Sequence, residues 1–322
     1  MTNPLGGKQA RNPDVHQQPC LIIFTGPTGV GKTDLAIRLA EEFDGEIISA
    51  DSMQVYRYLD IGTAKPSAKE QARVHHHLID IVDPDEEFNA AMFAEQADAA
   101  IHSLHERGKR IFVVGGTGLY LDALIGGLLK APGADGRLRD LYREEAARHG
   151  EGFLYERLKT IDPVAAKSIH PNDLVRTIRA LEVMEQTGQS IVAIRGEHRF
   201  GSRVYDCIKI GLTIDRALLY ERINNRVDRM MADGLIEEGQ RLLEMGYDEE
   251  ALPLQAMTYR NVISYIRGNQ SRQDMVRLIK RDTRHYARRQ LTWFRKDPDI
   301  KWFAPQDENM ISRAVESRVM GY

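Results

Sequence analysis

GPTGVGKT, residues 26–33, follows the apolar run LIIFT (21–25) and opens KTDLAIRLAEEF (32–43). A short buried strand, a glycine turn, and a helix with Leu35, Leu39 and Phe43 on one face are what this pattern predicts. The octapeptide fills every fixed position of G-x-x-x-x-G-K-[ST] in the strand-to-helix context that motif requires. Its glycines let backbone N–H groups turn inward around an anion, and the helix N-terminus adds partial positive charge. Gly26, Pro27, Thr28, Gly29, Val30, Gly31, Lys32 and Thr33 are therefore the candidate diphosphate-binding residues. Lys32 reaches a phosphate and Thr33 is placed to ligate Mg²⁺. The loop specifies a polyphosphate with Mg²⁺ and does not by itself specify a nucleotide.

Working outward, EIISAD (46–51) reads as a second strand, Asn89 to Arg107 as an amphipathic helix closed by Gly108, and RIFVV (110–114) as a third buried strand running into GGTGLY (115–120). The alternation predicts an α/β fold, a P-loop parallel sheet core flanked by helices. Ligands of such sheets sit at the carboxyl ends of the strands, so GPTGVGKT, DSMQVY (51–56) and GGTGLY should converge on one site. Asp51, at a strand end beside a diphosphate, can act as a general base, hold the metal, or merely cap a helix. Thr117 can donate to a phosphate oxygen or cap the next helix. HHHLIDIVDP (75–84) reads as a loop leading into a short strand, LIDIV. Three successive histidines cannot all face one metal, and spaced carboxylate partners are not evident.

From Pro132 to about Arg203 the pattern is helical, which predicts an inserted helical subdomain. CIKIGLTID (207–215) restores a strand, with Asp215 as the N-cap of the next helix, and the C-terminal region is helical. The expected organisation is a disordered tail (1–19), a core of 20–134 with 205–322, and an insertion at 135–204. Residues 196–204 (GEHRFGSRV) read as a linker. The chain has 322 residues, 42% hydrophobic and 28% charged, with net charge −3 and two cysteines. This composition fits a globular enzyme of a reducing cytoplasm, and the longest apolar runs are far shorter than a membrane span. The near-neutral charge means that nucleic-acid binding needs a local basic patch.

Two such patches exist. In the helix after Asn172-Asp173, Leu174, Ile178 and Leu181 share one face and Arg176 and Arg179 the other, either as a solvated surface or as part of a phosphate site. RLIKRDTRHYARRQLTWFRK (277–296) carries eight Lys/Arg against one acid, Asp282. Arg277, Arg281, Arg284 and Arg288 form a stripe at i, i+4, i+7 and i+11, suited to a phosphate backbone and lacking balancing acids.

GPTGVGKT, SADSMQVYRYLDIGTAKP, HHLIDIVDP, VVGGTGLY, DPVAAKSIHPNDLVRTIRALEV and RHYARRQLTWFRK occur in that order. Together, over about residues 20 to 305, they resemble the bacterial tRNA dimethylallyltransferase (tRNA isopentenylpyrophosphate transferase) family. The resemblance implies transfer of a dimethylallyl group from dimethylallyl diphosphate to N6 of the adenosine 3′ of the anticodon, with Mg²⁺, in a cytoplasmic monomer. It implies Asp51 as general base and Thr117 as a contact of the donor's diphosphate. Arg176 matches a position that reaches diphosphate or RNA, and Arg139 matches another functional arginine. The anticodon stem-loop is expected on Asp51, Ser52, Met53 and Gln54, which read an extruded base. It is expected also on Val175, Arg176, Thr177, Ile178 and Arg179, on Gln255, Tyr259 and Arg260, and on Arg281, Arg284 and Arg288, with insertion and C-terminal helices embracing the RNA. An ATP-dependent small-molecule kinase is the alternative, and the basic stripe argues against it. Three positions depart from the family pattern. Gly29 stands where Ala is more usual and His75 where Pro is usual. Thr258 stands at a glycine position, which raises the question of a positive φ.

Overall fold

A computed structural model of the chain describes residues 18–127, 132–150, 152–197 and 205–320. The expected tail as far as residue 17, and 198–204 of the expected linker, lie outside the described residues. By internal contacts the chain divides into two compact units, one comprising residues up to Leu121 together with Tyr205 onward, the other Asp122–Val204.

In the first unit β1 (Cys20–Thr25) leads into α1 (Lys32–Glu42), β2 (Gly45–Ser49), α2 (Ala68–Arg73) and β3 (His76–His77). Then come α3 (Ala90–Glu106), β4 (Arg110–Val114) and α4 (Gly118–Gly126), the last crossing into the second unit. The second unit holds α5 (Gly136–His149), α6 (Phe153–Ile161), α7 (Pro163–Ser168), α8 (Leu174–Thr187) and α9 (Ile191–Glu197). The first unit resumes with β5 (Asp206–Leu212), α10 (Arg216–Ala232), α11 (Leu235–Glu244) and α12 (Met257–Ile266). It ends with α13 (Arg272–Phe294), β6 (Ile300–Phe303) and α14 (Glu308–Met320).

The six strands form one parallel sheet in the order β3-β2-β4-β1-β5-β6. Leu21, Ile22, Ile23 and Phe24 are each at most 1% exposed, as a strand covered on both faces requires. Phe24 stacks on Phe112 of β4 at 6.2 Å. Caps fall where polar residues meet apolar periodicity: Asn89 accepts from Ala91 and Met92, and Asp215 from Ala217 and Leu218.

One strand is not where the residues suggested. LIDIV does not join the sheet; His76–His77 does, beside β2. Leu78 and Asp80 adopt left-handed φ values of 61° and 55°, which break an extended run. Ile81 N–H and Val82 N–H instead donate to Val55 O, so the segment braces the loop after β2. The strand before GGTGLY is thus the fourth in chain order. The helical pattern also runs through Glu197, two residues into the expected linker. Thr258 sits inside α12 and is not among the residues of positive φ, so no glycine is needed there.

The second unit is all helix. Tyr142, Leu154, Leu158, Ala165, Ile178 and Leu181 are part of its own core. At its centre lies the fully buried Glu182. Its carboxylate accepts from Asp135 N–H at 2.7 Å, from Arg139 at 2.9 and 3.0 Å, and from Arg179 at 2.5 Å. Burial alone would push this carboxyl up, but the two guanidiniums outweigh it and hold it below its ordinary range.

Candidate active site

The three strand-end loops of the first unit line a single cleft of about 1020 Å³. In the phosphate loop Gly29 has φ 81°, and a Cβ there would stand 3.1 Å from Ile223 Cγ1. Glycine is therefore the relaxed residue at this left-handed position. Lys32 Nζ is turned onto the loop's own carbonyls, Gly26 O at 3.0 Å and Pro27 O at 2.9 Å. Burial and the neighbouring Arg226 push its ammonium down to about 8, against the pull of Asp51. Thr33 lines the same cleft.

Asp51 follows β2 and lines the cleft; its Oδ1 accepts from Met53 N–H at 2.9 Å in a local turn. Thr117 lies behind it. The Thr117 hydroxyl accepts from Ser52 N–H at 3.0 Å, so in this structure it holds the loop after β2. The two loops touch so closely that a Cβ on Gly115 would fall 2.0 Å from Ala50 O. Gln54 accepts from Ser49 Oγ at 3.0 Å and faces the cleft.

Four groups were missed in the sequence. Arg222, Arg226 and Arg229 of α10 all line the cleft. Arg222 donates to Val30 O at 3.2 Å. Arg226 is half-buried, and its guanidinium is pushed down by desolvation, partly offset by Asp51. Their i, i+4, i+7 spacing is the same signal that drew attention to α13. Tyr286, beside Asp51, Thr117 and Gln290, has its phenol pushed up to about 12, chiefly by burial and then by Asp51.

Two buried side chains from late helices fix these loops. Gln290, 6% exposed, accepts from Thr28 N–H at 2.8 Å and donates to Gly116 O at 3.0 Å. Glu238, 1% exposed, accepts from the N–H groups of Asp60, Ile61 and Gly62 at 3.0, 2.8 and 2.9 Å. The Tyr259 hydroxyl donates to the same carboxylate at 2.7 Å. Lys65, nearly buried, ties Asp60 at 2.6 Å to Asp80 at 2.5 Å.

The residues expected on an RNA surface divide. Tyr259 is 1% exposed, so its ring and hydroxyl serve the interior beneath Gly62. Gln255 donates to Glu249 O, and Arg260 is exposed. In α8, Val175 is 79% exposed and Arg176 is exposed beside Asp173, whereas Thr177 and Ile178 point into the second unit's core. Arg139 and Arg179 are engaged by Glu182 and hold that unit together. The α13 stripe is less unbalanced than its own sequence suggests. Asp274 pairs with Arg277, Asp228 of α10 with Lys280, and Asp282 with Arg281. Arg284 donates to Asn224 and lies over the Tyr220 ring, and Arg288 is exposed. Of these acids, Asp228 comes from an adjacent helix and Asp274 from upstream, where a reading of 277–296 alone does not reach.

The IPP transferase family model matches residues 54–297. The chain is 54% identical over 297 residues to tRNA dimethylallyltransferase 2 of Syntrophus aciditrophicus, covering 92% of this chain and 96% of the relative. It is 51% identical over 282 residues to tRNA dimethylallyltransferase of Geobacter sulfurreducens, covering 88% and 91%. The chain belongs to the IPP transferase family. Among solved structures, the tRNA isopentenylpyrophosphate transferase of Bacillus halodurans aligns with TM-score 0.71 at 40% identity, over 94% of this chain and 98% of that one. A eukaryotic dimethylallyltransferase acting on tRNA aligns with TM-score 0.76 at 29% identity, over 89% and 74%. As an IPP transferase family member the chain is a transferase, and no helix among its described residues is long and apolar enough to cross a membrane. An ATP-dependent kinase is not favoured.

Proposed function

We propose that this IPP transferase family member transfers a dimethylallyl group from dimethylallyl diphosphate to N6 of an adenosine in the anticodon loop of tRNA. The observation that carries this reading is that Asp51, Lys32 and Arg226 line one cleft together with the phosphate loop. The donor's diphosphate lies on the loop amides of Gly26–Thr33, with Lys32 released from its two carbonyls toward the phosphates. The N6–C1 bond forms as the allylic C1–O bond breaks, and diphosphate leaves with the electron pair. Negative charge grows on that diphosphate, and Lys32, Arg222, Arg226 and the loop amides stabilise it.

The adenine amino group is a poor nucleophile, and its proton passes to the Asp51 carboxylate as the new bond forms. Asp51 through Gln54 frame the extruded base, and Thr117 acts on it through Ser52. Thr33 offers a hard oxygen donor of the kind Mg²⁺ takes, together with donor phosphates. When bound, the ion neutralises charge on the leaving diphosphate. Within the first unit Arg260, Arg281 and Arg288 are exposed cations available to RNA phosphates, and within the second Arg176 is another. The protein acts as a monomer in the cytoplasm.

Incubation with radiolabelled dimethylallyl diphosphate, Mg²⁺ and unmodified tRNA tests this, with labelled ATP in a parallel reaction. Label should enter RNA from the prenyl donor alone. Label from ATP appearing in a small product, with none from the prenyl donor in RNA, would overturn the reading.

A further inference from the structure

The three histidines do not act as one loop. β3 pairs with β2 in the register Ile47↔His76 and Ile48↔His77, and Ile47 N–H donates to His75 O at 2.9 Å. Alternation then sends His75 and His77 to one face of the sheet edge and His76 to the other. His76 is buried, with Nδ1 2.8 Å from Val74 O. On the opposite face His77 Nε2 lies 2.7 Å from Glu46 Oε2. The His75 and His77 rings meet edge-on at 4.4 Å. The ligand atoms of Glu46, His75 and His77 all lie within 4.8 Å of one another.

Glu46 is the second residue of β2, at the amino-terminal end of the strands and away from the loops that line the cleft. We propose that Glu46, His75 and His77 bind a divalent transition ion of the Zn²⁺ class, at a site separate from the phosphate loop. Ligands around tetrahedral zinc, at bonds of roughly 2.0–2.1 Å, stand about 3.3 Å apart. The His77–Glu46 separation is already within that span. The remaining closure falls to His75, which is exposed and rotates without disturbing the core.

Two imidazoles and one carboxylate suit zinc, cobalt or nickel, whereas Mg²⁺ and Ca²⁺ take oxygen. His77 coordinates through Nε2, and the proton it carries there moves to Nδ1, leaving a neutral ligand. Arg107, at the end of α3, donates to Glu46 at 2.7 and 3.1 Å. It keeps Oε1 when the ion takes Oε2, and so orients the carboxylate as an outer partner does. The ion would fasten a two-residue edge strand to β2. His75 is what completes the donor set.

The test uses the full chain without an affinity tag, with Co²⁺ as spectroscopic probe and Zn²⁺ as competitor. One Co²⁺ per chain should give visible d–d bands that Zn²⁺ removes. His75→Ala and His77→Ala should each weaken Co²⁺ binding by roughly 100-fold. A Cys20→Ser/Cys207→Ser variant should bind as the parent does. The His75→Ala protein should melt like the parent without metal, because that side chain is exposed, which separates lost binding from lost fold. The proposal fails if Co²⁺ does not bind saturably, if His75→Ala and His77→Ala bind it unchanged, or if the cysteine variant alone loses it.

Discussion

Replacing Gln290 by leucine tests whether the phosphate loop is held from behind. Leucine keeps the side chain's bulk and removes both hydrogen bonds, to Thr28 N–H at 2.8 Å and to Gly116 O at 3.0 Å. Thr28 is half-exposed and faces the cleft, so its N–H recovers water and the net loss is about 0.5–1.5 kcal/mol. Gly116 is buried, so its carbonyl is left unpaired at about 1–3 kcal/mol. The fold should therefore lose about 1.5–4.5 kcal/mol, read as a lowered midpoint in urea with an unchanged slope. The donor site should suffer separately. Thr28 lies in the loop that wraps the diphosphate, and freeing it should weaken dimethylallyl diphosphate binding by roughly 10-fold, about 1.4 kcal/mol. Calorimetric titration of the donor, without RNA, isolates that effect. A Gln290→Leu protein with the parent's urea midpoint and donor Kd would refute the bracing argument.

Asp51→Asn keeps the local turn's acceptor and removes the base; turnover should drop by roughly 10²-fold or more with tRNA affinity held, measured by single-turnover label transfer and filter binding. Lys32, with its pKa near 8, should make donor binding pH-dependent. A bound diphosphate favours the charged ammonium, so above about pH 8 each binding event takes up a proton and Kd should rise about tenfold per unit. A Kd that stays flat between about pH 7 and about pH 9.5 removes Lys32 from donor recognition. Without donor the sign reverses for stability. The unfolded lysine keeps its proton up to 10.5, so the fold should gain stability as pH rises from about 8 toward that value. Glu238→Gln replaces one accepting oxygen with an NH₂, turned either toward the N–H groups of Asp60 and Ile61 or toward Gly62 N–H and the Tyr259 hydroxyl, and should lower unfolding stability by about 2–4 kcal/mol, checked by thermal melting. Arg288→Glu should weaken tRNA binding and reduce its salt slope while leaving donor Kd alone; an unchanged tRNA affinity takes Arg288 off the RNA surface.

What was legible in the chain follows the strength of local signals. β1, the phosphate loop and α1 combine an apolar run, fixed glycines and helical periodicity, and they form as read. RIFVV likewise had only one way to be buried. The edge strand was illegible because three histidines carry no apolar alternation, and pairing with Ile47 and Ile48 is a long-range choice. LIDIV looked like a strand, but left-handed Leu78 and Asp80 redirect it against Val55. Arg222, Arg226 and Arg229 are interleaved with Glu221 and Asp228, so they read as an ordinary solvated face; tertiary packing, not composition, turns them into the cleft. Tyr259 looked like a surface aromatic until Glu238 and Gly62 placed it inside.

The bracing residues also bear on how two very different substrates share one cleft. α13 shows opposite faces to solvent and to the active site: Arg281 and Arg288 are exposed, while Tyr286 and Gln290 line the cleft. A helix is stiff over three turns, so an RNA phosphate bearing on the outer face loads the same rigid body that holds Thr28 and Gly116. Any effect of RNA on donor affinity through this helix must be matched by an equal effect of donor on RNA affinity. Gln290 is the joint where that exchange would pass. Removing it separates the phosphate loop from the helix while leaving every arginine in place, so the part of the coupling carried through α13 should be lost, and what remains should be that of direct contact between the two substrates in the cleft.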